Sequence, residues 1–152
     1  MNIEKTIREY LPNICHMSLA TSNGNKPWIC EVHYAYDNDL NLYFCSRPSK
    51  RHSVEIANNP NVAGNIIIQH AVGQKVRGVY FEGKAELLTN VEKHHPAFKL
   101  YNQRFGNGKE ILEEAKMEDG HKFYKIIVSI WYLFDSVESS PSKKYVLEWK
   151  KQ

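Results

Sequence analysis

The stretch Cys15-His16-Met17-Ser18-Leu19-Ala20-Thr21-Ser22-Asn23-Gly24-Asn25-Lys26-Pro27-Trp28-Ile29-Cys30-Glu31-Val32-His33-Tyr34-Ala35-Tyr36 decides the fold class. Cys15 to Thr21 reads as a strand, Ser22-Asn23-Gly24-Asn25 supplies an Asn-Gly turn, and Trp28 to Tyr36 alternates with a period of two. Asn and Gly accept the positive φ of a tight β-turn, so the two strands form a hairpin. Successive side chains point to opposite sides of a pleat. Trp28, Cys30, Val32 and Tyr34 therefore share one face of the second strand, and Ile29, Glu31, His33 and Ala35 share the other.

Upstream of the hairpin, Ile3, Ile7, Tyr10 and Leu11 recur at helical spacing until Pro12 and Asn13 end the pattern, which predicts a short amphipathic helix capping the sheet. Downstream, Asp37-Asn38-Asp39 turns into a strand over Leu40 to Cys45. Ser46-Arg47-Pro48-Ser49 breaks that strand, and a helix runs to about Asn58, where Asn58-Asn59-Pro60 stops it. Val62 to Gln69 reads as a strand, His70 to Gly73 as a loop, and Gln74 to Leu88 as a long strand in which Gly78 and Gly83 permit bends or bulges. Thr89-x-x-Glu92 has the form of a capping box for a helix that carries Pro96 and the apolar stripe Val91, His95, Phe98, Tyr101 and Phe105. Gly106 and Gly108 separate it from a second helix over Glu110 to Lys116. Phe123 to Phe134 is a long apolar strand, and Lys144 to Trp149 follows the Ser139 to Ser142 loop as an edge strand. With no βαβ alternation and no internal repeat, the pattern predicts a mainly β chain: a closed or half-closed antiparallel barrel of six or seven strands with three or four short helices.

The 152 residues fit a single domain, 1–152, whose core needs no metal or disulfide staple. Apolar residues at 42% and charged residues at 24% are the usual globular balance, so no segment is assigned to disorder. A net charge of +3 and a pI near 8.7, with no long basic run, argue against nucleic-acid binding. No apolar stretch reaches signal-peptide or bilayer-spanning length, so a soluble cytoplasmic protein without membrane contact is expected. Cys15, Cys30 and Cys45 lack disulfide or zinc spacing, and no metal site is expected of them. Cys30 and Cys45 read as small apolar fillers on neighbouring strands. The adjacent His94 and His95 cannot face one helix side, so with His121 they form no chelating pair.

Chemistry concentrates in Ser46-Arg47-Pro48-Ser49-Lys50-Arg51-His52, which puts three fixed positive charges and an imidazole at a helix start. The helix macrodipole disfavours cations there, by about 0.3 to 1 kcal/mol each, and favours an anion by a similar amount. A basic cluster at that end makes sense around a bound anion such as a phosphate monoester. Ser49 would cap the helix, while backbone N–H groups, Lys50 and Arg51 hold phosphate oxygens. The alternative is a solvated basic turn. Gln74, at the expected start of the long strand, reads by itself as a solvent-facing residue.

The pieces Ser18-Leu19-Ala20-Thr21, Leu42-Tyr43-Phe44-Cys45-Ser46 before a basic triplet, Asn58-Asn59-Pro60-Asn61-Val62-Ala63, and Gln74 before Val79-x-Phe81-x-Gly83-x-Ala85 cover roughly half the chain. In that order they resemble the pyridoxamine 5'-phosphate oxidase-like superfamily of FMN-binding split barrels. Arg77-Gly78-Val79-x-Phe81-x-Gly83 and Tyr101-Asn102-x-Arg104-Phe105 resemble its YhbP-like branch, for which membership implies no settled reaction. The resemblance implies a Greek-key split barrel and a homodimer with two flavin sites at its interface. It also implies FMN as cofactor. The ring would lie along Ile29, Cys30, Glu31, Val32 and His33, the phosphate on Lys50, Arg51 and His52, with Cys45 and Ser46 at the end of the third strand and Gln74 reaching the ring. Counted back from Asn58-Asn59-Pro60, the superfamily's usual lysine falls on His52, so Lys50 would act from a shifted position and the phosphate site would be weaker or pH-sensitive.

The implied function is flavin-dependent oxidoreduction on an unidentified substrate. Pyridoxamine-phosphate oxidation itself is disfavoured, because the resemblance fades after Leu88 and no Trp and Arg substrate motif stands in Tyr145 to Gln152. The rival is a non-catalytic module that binds or senses a flavin, haem or another phosphate-bearing ligand on the same fold.

Overall fold

The computed structural model describes residues 1–149. Helix α1 (Ile3–Tyr10) is capped by Asn2, whose side chain accepts from the Lys5 N–H at 3.0 Å, and it buries Ile7. Pro12 sits in a 3-10 turn, Leu11–Asn13, that ends the helix. The hairpin follows as β1 (His16–Asn23) and β2 (Lys26–His33), paired from His16 with His33 to Asn23 with Lys26.

The remaining elements are β3 (Ala35–Tyr36), β4 (Leu42–Ser46), α2 (Arg51–Asn58), β5 (Asn61–Ile67), β6 (Arg77–Leu87), α3 (Pro96–Phe105), α4 (Gly108–Glu114), β7 (Lys122–Asp135) and β8 (Lys143–Glu148). Their antiparallel order is β2-β1-β5-β6-β7-β4-β3, with β8 also on β7. The split arises on β7: its first residues, Lys122 to Ile126, pair with β4, whereas Ile130 to Asp135 pair with β8 on the same edge. A bulge sits between Glu82 and Gly83, where Ser129 of β7 has no opposite number. A Cβ on Gly83 would press on the Ile127 carbonyl oxygen and lie 3.0 Å from the Val128 Cα, so the bend uses the absence of a side chain.

Met17, Leu19, Phe44, Ile66, Val79, Phe81, Trp131 and Leu133 fill the barrel, and Ile7 and Leu11 close its end. Outside it, Ala97, Phe98, Tyr101 and Ile111 of α3 and α4 cover Ala35, Tyr43 and Phe123. The expected split barrel is therefore present, with an eighth strand. The predicted second strand breaks at Tyr34, whose buried hydroxyl donates to the Leu11 carbonyl at 2.8 Å, and β3 continues against β4 instead of β1.

Two further expectations are corrected. The long strand begins at Arg77, because residues 71–74 form a turn with Gly73 at φ 85° and the Gln74 N–H donates to the Ala71 carbonyl at 3.2 Å. The Thr89-x-x-Glu92 capping box does not form: Asn90 lies at φ 56°, and α3 starts at Pro96 with His95 as its cap, accepting from the Ala97 N–H at 3.1 Å. Proline in a helical first turn removes only an N–H that would have no partner there, so the start shifts to it. Lys150 to Gln152, the end of the expected 1–152 domain and of the Tyr145 to Gln152 segment that shows no substrate motif, lie outside the described residues.

Candidate functional site

The basic turn joins β4 to α2. The Lys50 N–H donates to the Arg47 carbonyl at 3.1 Å, and Lys50 occupies the helix cap position in extended conformation with no side-chain cap bond. The first intrahelical bond is Val54 N–H to the Lys50 carbonyl at 3.0 Å, which leaves the N–H groups of Arg51, His52 and Ser53 without an intrahelical acceptor. Ser49 does not cap the helix as expected. Its N–H and hydroxyl both donate to Asp119, at 3.0 and 2.6 Å.

That pair of bonds tests whether the turn suits an anion. The bonds from Ser49 hold the Asp119 carboxyl below the usual aspartate range, and Arg47 and Lys50 add to the effect. The turn therefore already holds one of the chain's own carboxylates, and its donor set fits a phosphate.

Arg51 lies at the side of the turn, its guanidinium 4.3 Å from the centroid of the Trp28 ring and its Nε donating to Glu55 at 3.3 Å. Glu55 is 5% exposed and also accepts from the Thr21 hydroxyl at 3.3 Å, so a buried carboxylate ties α2 to β1 beneath an exposed arginine. Lys50 is exposed as well. His52 is turned inward, with Nε2 2.6 Å from the Ser46 hydroxyl and its ring beside Phe44. Burial, with Lys50 adding, lowers its pKa and favours the neutral imidazole.

Along β2 the faces divide as predicted: Cys30 and Val32 pack on the core, while Ile29 is 60% exposed and Glu31 and His33 are exposed beside it. Glu31 accepts from the Ser18 hydroxyl and pairs with His16 Nδ1 at 2.9 Å, and His33 stacks on Phe105 with centroids 5.1 Å apart. Burial pushes the Cys30 thiol up to about 11, and it raises that of Cys45, whose partner is Tyr101. Both stay protonated near neutrality, and β2 and β4, which carry them, are not paired in the sheet.

Gln74 stands apart from the turn. It is exposed, and its side-chain oxygen accepts from the Ala71 N–H at 2.8 Å. It lies beyond the Ile67–Gly78 end of the β5–β6 pair, whereas α2 enters that pair at the Asn61–Lys84 end. The structure thus brings together Ser49, Lys50 and Arg51 on the outside of the turn and Ser46 with His52 inside it; Gln74 joins neither group.

Three contributors were not singled out from the sequence. Glu55 stands four residues after Arg51, a spacing at which helical side chains meet, so it was legible. Strand alternation gives Trp28 its face of β2 but not its place beside Arg51. Asp119, seventy residues from Ser49, left no local signal. Its loop is fastened separately: Lys122 Nζ donates to the carbonyls of Ala115 and Met117 at 2.9 and 3.0 Å, and His121 Nδ1 meets Glu114 at 2.5 Å. Among the described residues no group of three or more His, Cys, Asp or Glu could hold a metal ion, and no helix is long and apolar enough to cross a membrane.

The family model for pyridoxamine 5'-phosphate oxidase matches residues 3–135. A UPF0306 protein of Haemophilus ducreyi is 29% identical over 79 residues, which are 51% of this chain and 54% of that protein. The chain thus matches little more than half the length of such relatives, and they fit the YhbP-like branch expected from the sequence. Among solved structures, a haem-binding protein of Mycobacterium smegmatis superposes with a TM-score of 0.74 at 15% identity, covering 93% of this chain and 55% of that one. An FAD-binding protein of Mesorhizobium loti superposes with a TM-score of 0.66 at 20% identity, covering 95% and 94%. Both likenesses are of fold.

Proposed function

Because the chain belongs to the pyridoxamine 5'-phosphate oxidase family, we propose that it binds flavin mononucleotide and serves as a flavin-dependent oxidoreductase on a substrate still to be identified. The observation that carries this reading is the carboxylate of Asp119 on the Ser49 N–H and hydroxyl, an anion held in the basic turn, next to the Lys50 and Arg51 to which the resemblance assigns the phosphate. Lys50, Arg51 and the uncapped first turn of α2 supply further donors around it. The outward face of β2, with Ile29 exposed beside Glu31 and His33, offers an apolar spot edged by polar groups for the ring. When bound, the flavin supplies hydride or electron transfer; the chain supplies orientation, exclusion of water and hydrogen bonds.

Two charge-assisted contacts of about 1.5 to 3 kcal/mol each make Lys50→Ala with Arg51→Ala weaken FMN binding by at least about a hundredfold. Riboflavin, which lacks the phosphate, loses much less. Titration of both flavins against wild type and the double variant tests this, and equal losses, or none, return the cluster to a solvated turn. The second reading is a non-catalytic flavin, haem or phosphate-ligand module, favoured by the fold shared with the M. smegmatis haem-binding protein. The absorption spectrum of the purified protein distinguishes flavin from haem. Reduction by NADH or NADPH followed by reoxidation by an added acceptor distinguishes an enzyme from a carrier.

A further inference from the structure

Asp119 reaches the turn from the loop between α4 and β7, and its two carboxylate oxygens take the Ser49 N–H at 3.0 Å and the Ser49 hydroxyl at 2.6 Å. A phosphate bound at these donors would need the same hydrogens. We propose that Asp119 is a displaceable internal occupant of the phosphate site, closing the turn in the ligand-free chain and leaving when the phosphate of FMN arrives. This rests on the phosphate assignment made above.

The geometry differs from that of a structural helix cap. A capping carboxylate satisfies N–H groups inside the first turn, at the second or third helical residue. Asp119 instead takes Ser49, two positions before the first helical residue, and leaves the N–H groups of Arg51, His52 and Ser53 free of it. The contact is also exposed on both sides, so a ligand can exchange with it from solvent.

Nor does the loop depend on this contact for its shape. Lys122 Nζ bridges the carbonyls of Ala115 and Met117, the Met117 N–H donates to the Glu114 carbonyl at 2.9 Å, and His121 Nδ1 meets Glu114. Asp119 can therefore swing away while the loop keeps its own bonds. Arg47 and Lys50 draw any anion to this point, the internal carboxylate first and a phosphate in its place. A phosphate monoester has three acceptor oxygens and up to two charges, so it can take the Ser49 donors and the uncapped first turn together, which one carboxylate does not.

A turn held closed about four-fifths of the time lowers the apparent affinity for its ligand about fivefold, and removing the occupant restores it. Asp119→Ala is therefore expected to bind FMN at least about fivefold more tightly than wild type, with riboflavin unchanged. Fluorescence titration of both flavins reads this. In the wild-type protein the loop keeps its own bonds, so hydrogen exchange over residues 115–121 should not slow when FMN is added, nor with riboflavin. Weaker or equal FMN binding by Asp119→Ala, or protection of 115–121 by FMN, overturns the proposal and makes Asp119 a support of the turn. A wild-type protein that fails to prefer FMN to riboflavin removes the phosphate assignment, and this proposal with it. A wild type that does prefer FMN, together with an Asp119→Ala variant that gains nothing, removes this proposal alone.

Discussion

The Ser46 hydroxyl lies 2.6 Å from Nε2 of His52, and both residues are buried where β4 passes into α2. His52 is thus committed to the interior, as a neutral imidazole hydrogen-bonded to a serine.

The pH dependence of stability follows from that commitment. Burial, then Lys50, lowers the folded-state pKa of His52 below its ordinary 6.5, and Glu55 opposes only in part. As pH falls through 6.5 the unfolded chain takes up a proton that the folded chain still refuses, so stability present above 6.5 drains away until the folded-state pKa is passed. His95, lowered mainly by burial, adds in the same direction. Urea unfolding at about pH 7.5 and about pH 5.5 should show wild type losing more stability on acidification than His52→Gln, which keeps a polar partner for Ser46. Equal losses would place the titration elsewhere.

The bulge gives a second prediction. A methyl group on Gly83 meets the Ile127 carbonyl and the Val128 Cα, both backbone, so neither can turn aside as a side chain would. Gly83→Ala should destabilise by about 1–3 kcal/mol, the usual cost of overpacking, seen as a lower urea midpoint with little change in slope.

What the sequence shows of the fold is what local chemistry decides. The Asn-Gly turn gives the β1–β2 hairpin, the helical spacing of Ile3, Ile7 and Tyr10 gives α1, and Gly83 marks the bulge. Long-range bonds decide the rest. Tyr34 reads as one more inward residue of a continuing strand, but its bond to the Leu11 carbonyl turns the chain toward β4. At the site, the run from Ser49 to Arg51 predicts an anion-suited turn, since helix start and charge lie within a few residues. Which of its side chains point out depends on partners far along the chain: Trp28 for Arg51 and Asp119 for Ser49. Gln74 takes the place in the sequence that the resemblance assigns it, yet the turn around Gly73 folds its side chain back on Ala71.

Association is the third prediction. Among the described residues, strand β2 stands at the edge of the sheet with no strand on its outer side, and Trp28 and Ile29 on it are 40% and 60% exposed. An edge of this kind invites a second copy. Light scattering should give about twice the 17.7 kDa chain mass, and Ile29→Lys should shift it toward the monomer. A wild-type monomer that persists with saturating FMN removes the interface.

The last prediction separates two roles of Arg51. Its Nε donates to Glu55, which is 5% exposed and, among the described residues, otherwise accepts only from the Thr21 hydroxyl at 3.3 Å. Arg51→Ala therefore strands a buried carboxylate, at a cost of about 1–3 kcal/mol, whether or not the arginine touches phosphate. Weakened FMN binding in that variant would not by itself identify a ligand contact. Glu55→Gln added to Arg51→Ala removes the stranded charge while keeping the shape, so stability should return most of the way toward wild type. A phosphate contact is not restored by that second change. Urea unfolding and FMN titration of the two single variants and the double variant therefore give opposite patterns: recovered stability with FMN affinity still about tenfold or more below wild type assigns Arg51 to the phosphate. Recovery of both together makes Arg51 only the partner of Glu55 and leaves the phosphate to Ser49, Lys50 and the first turn of α2.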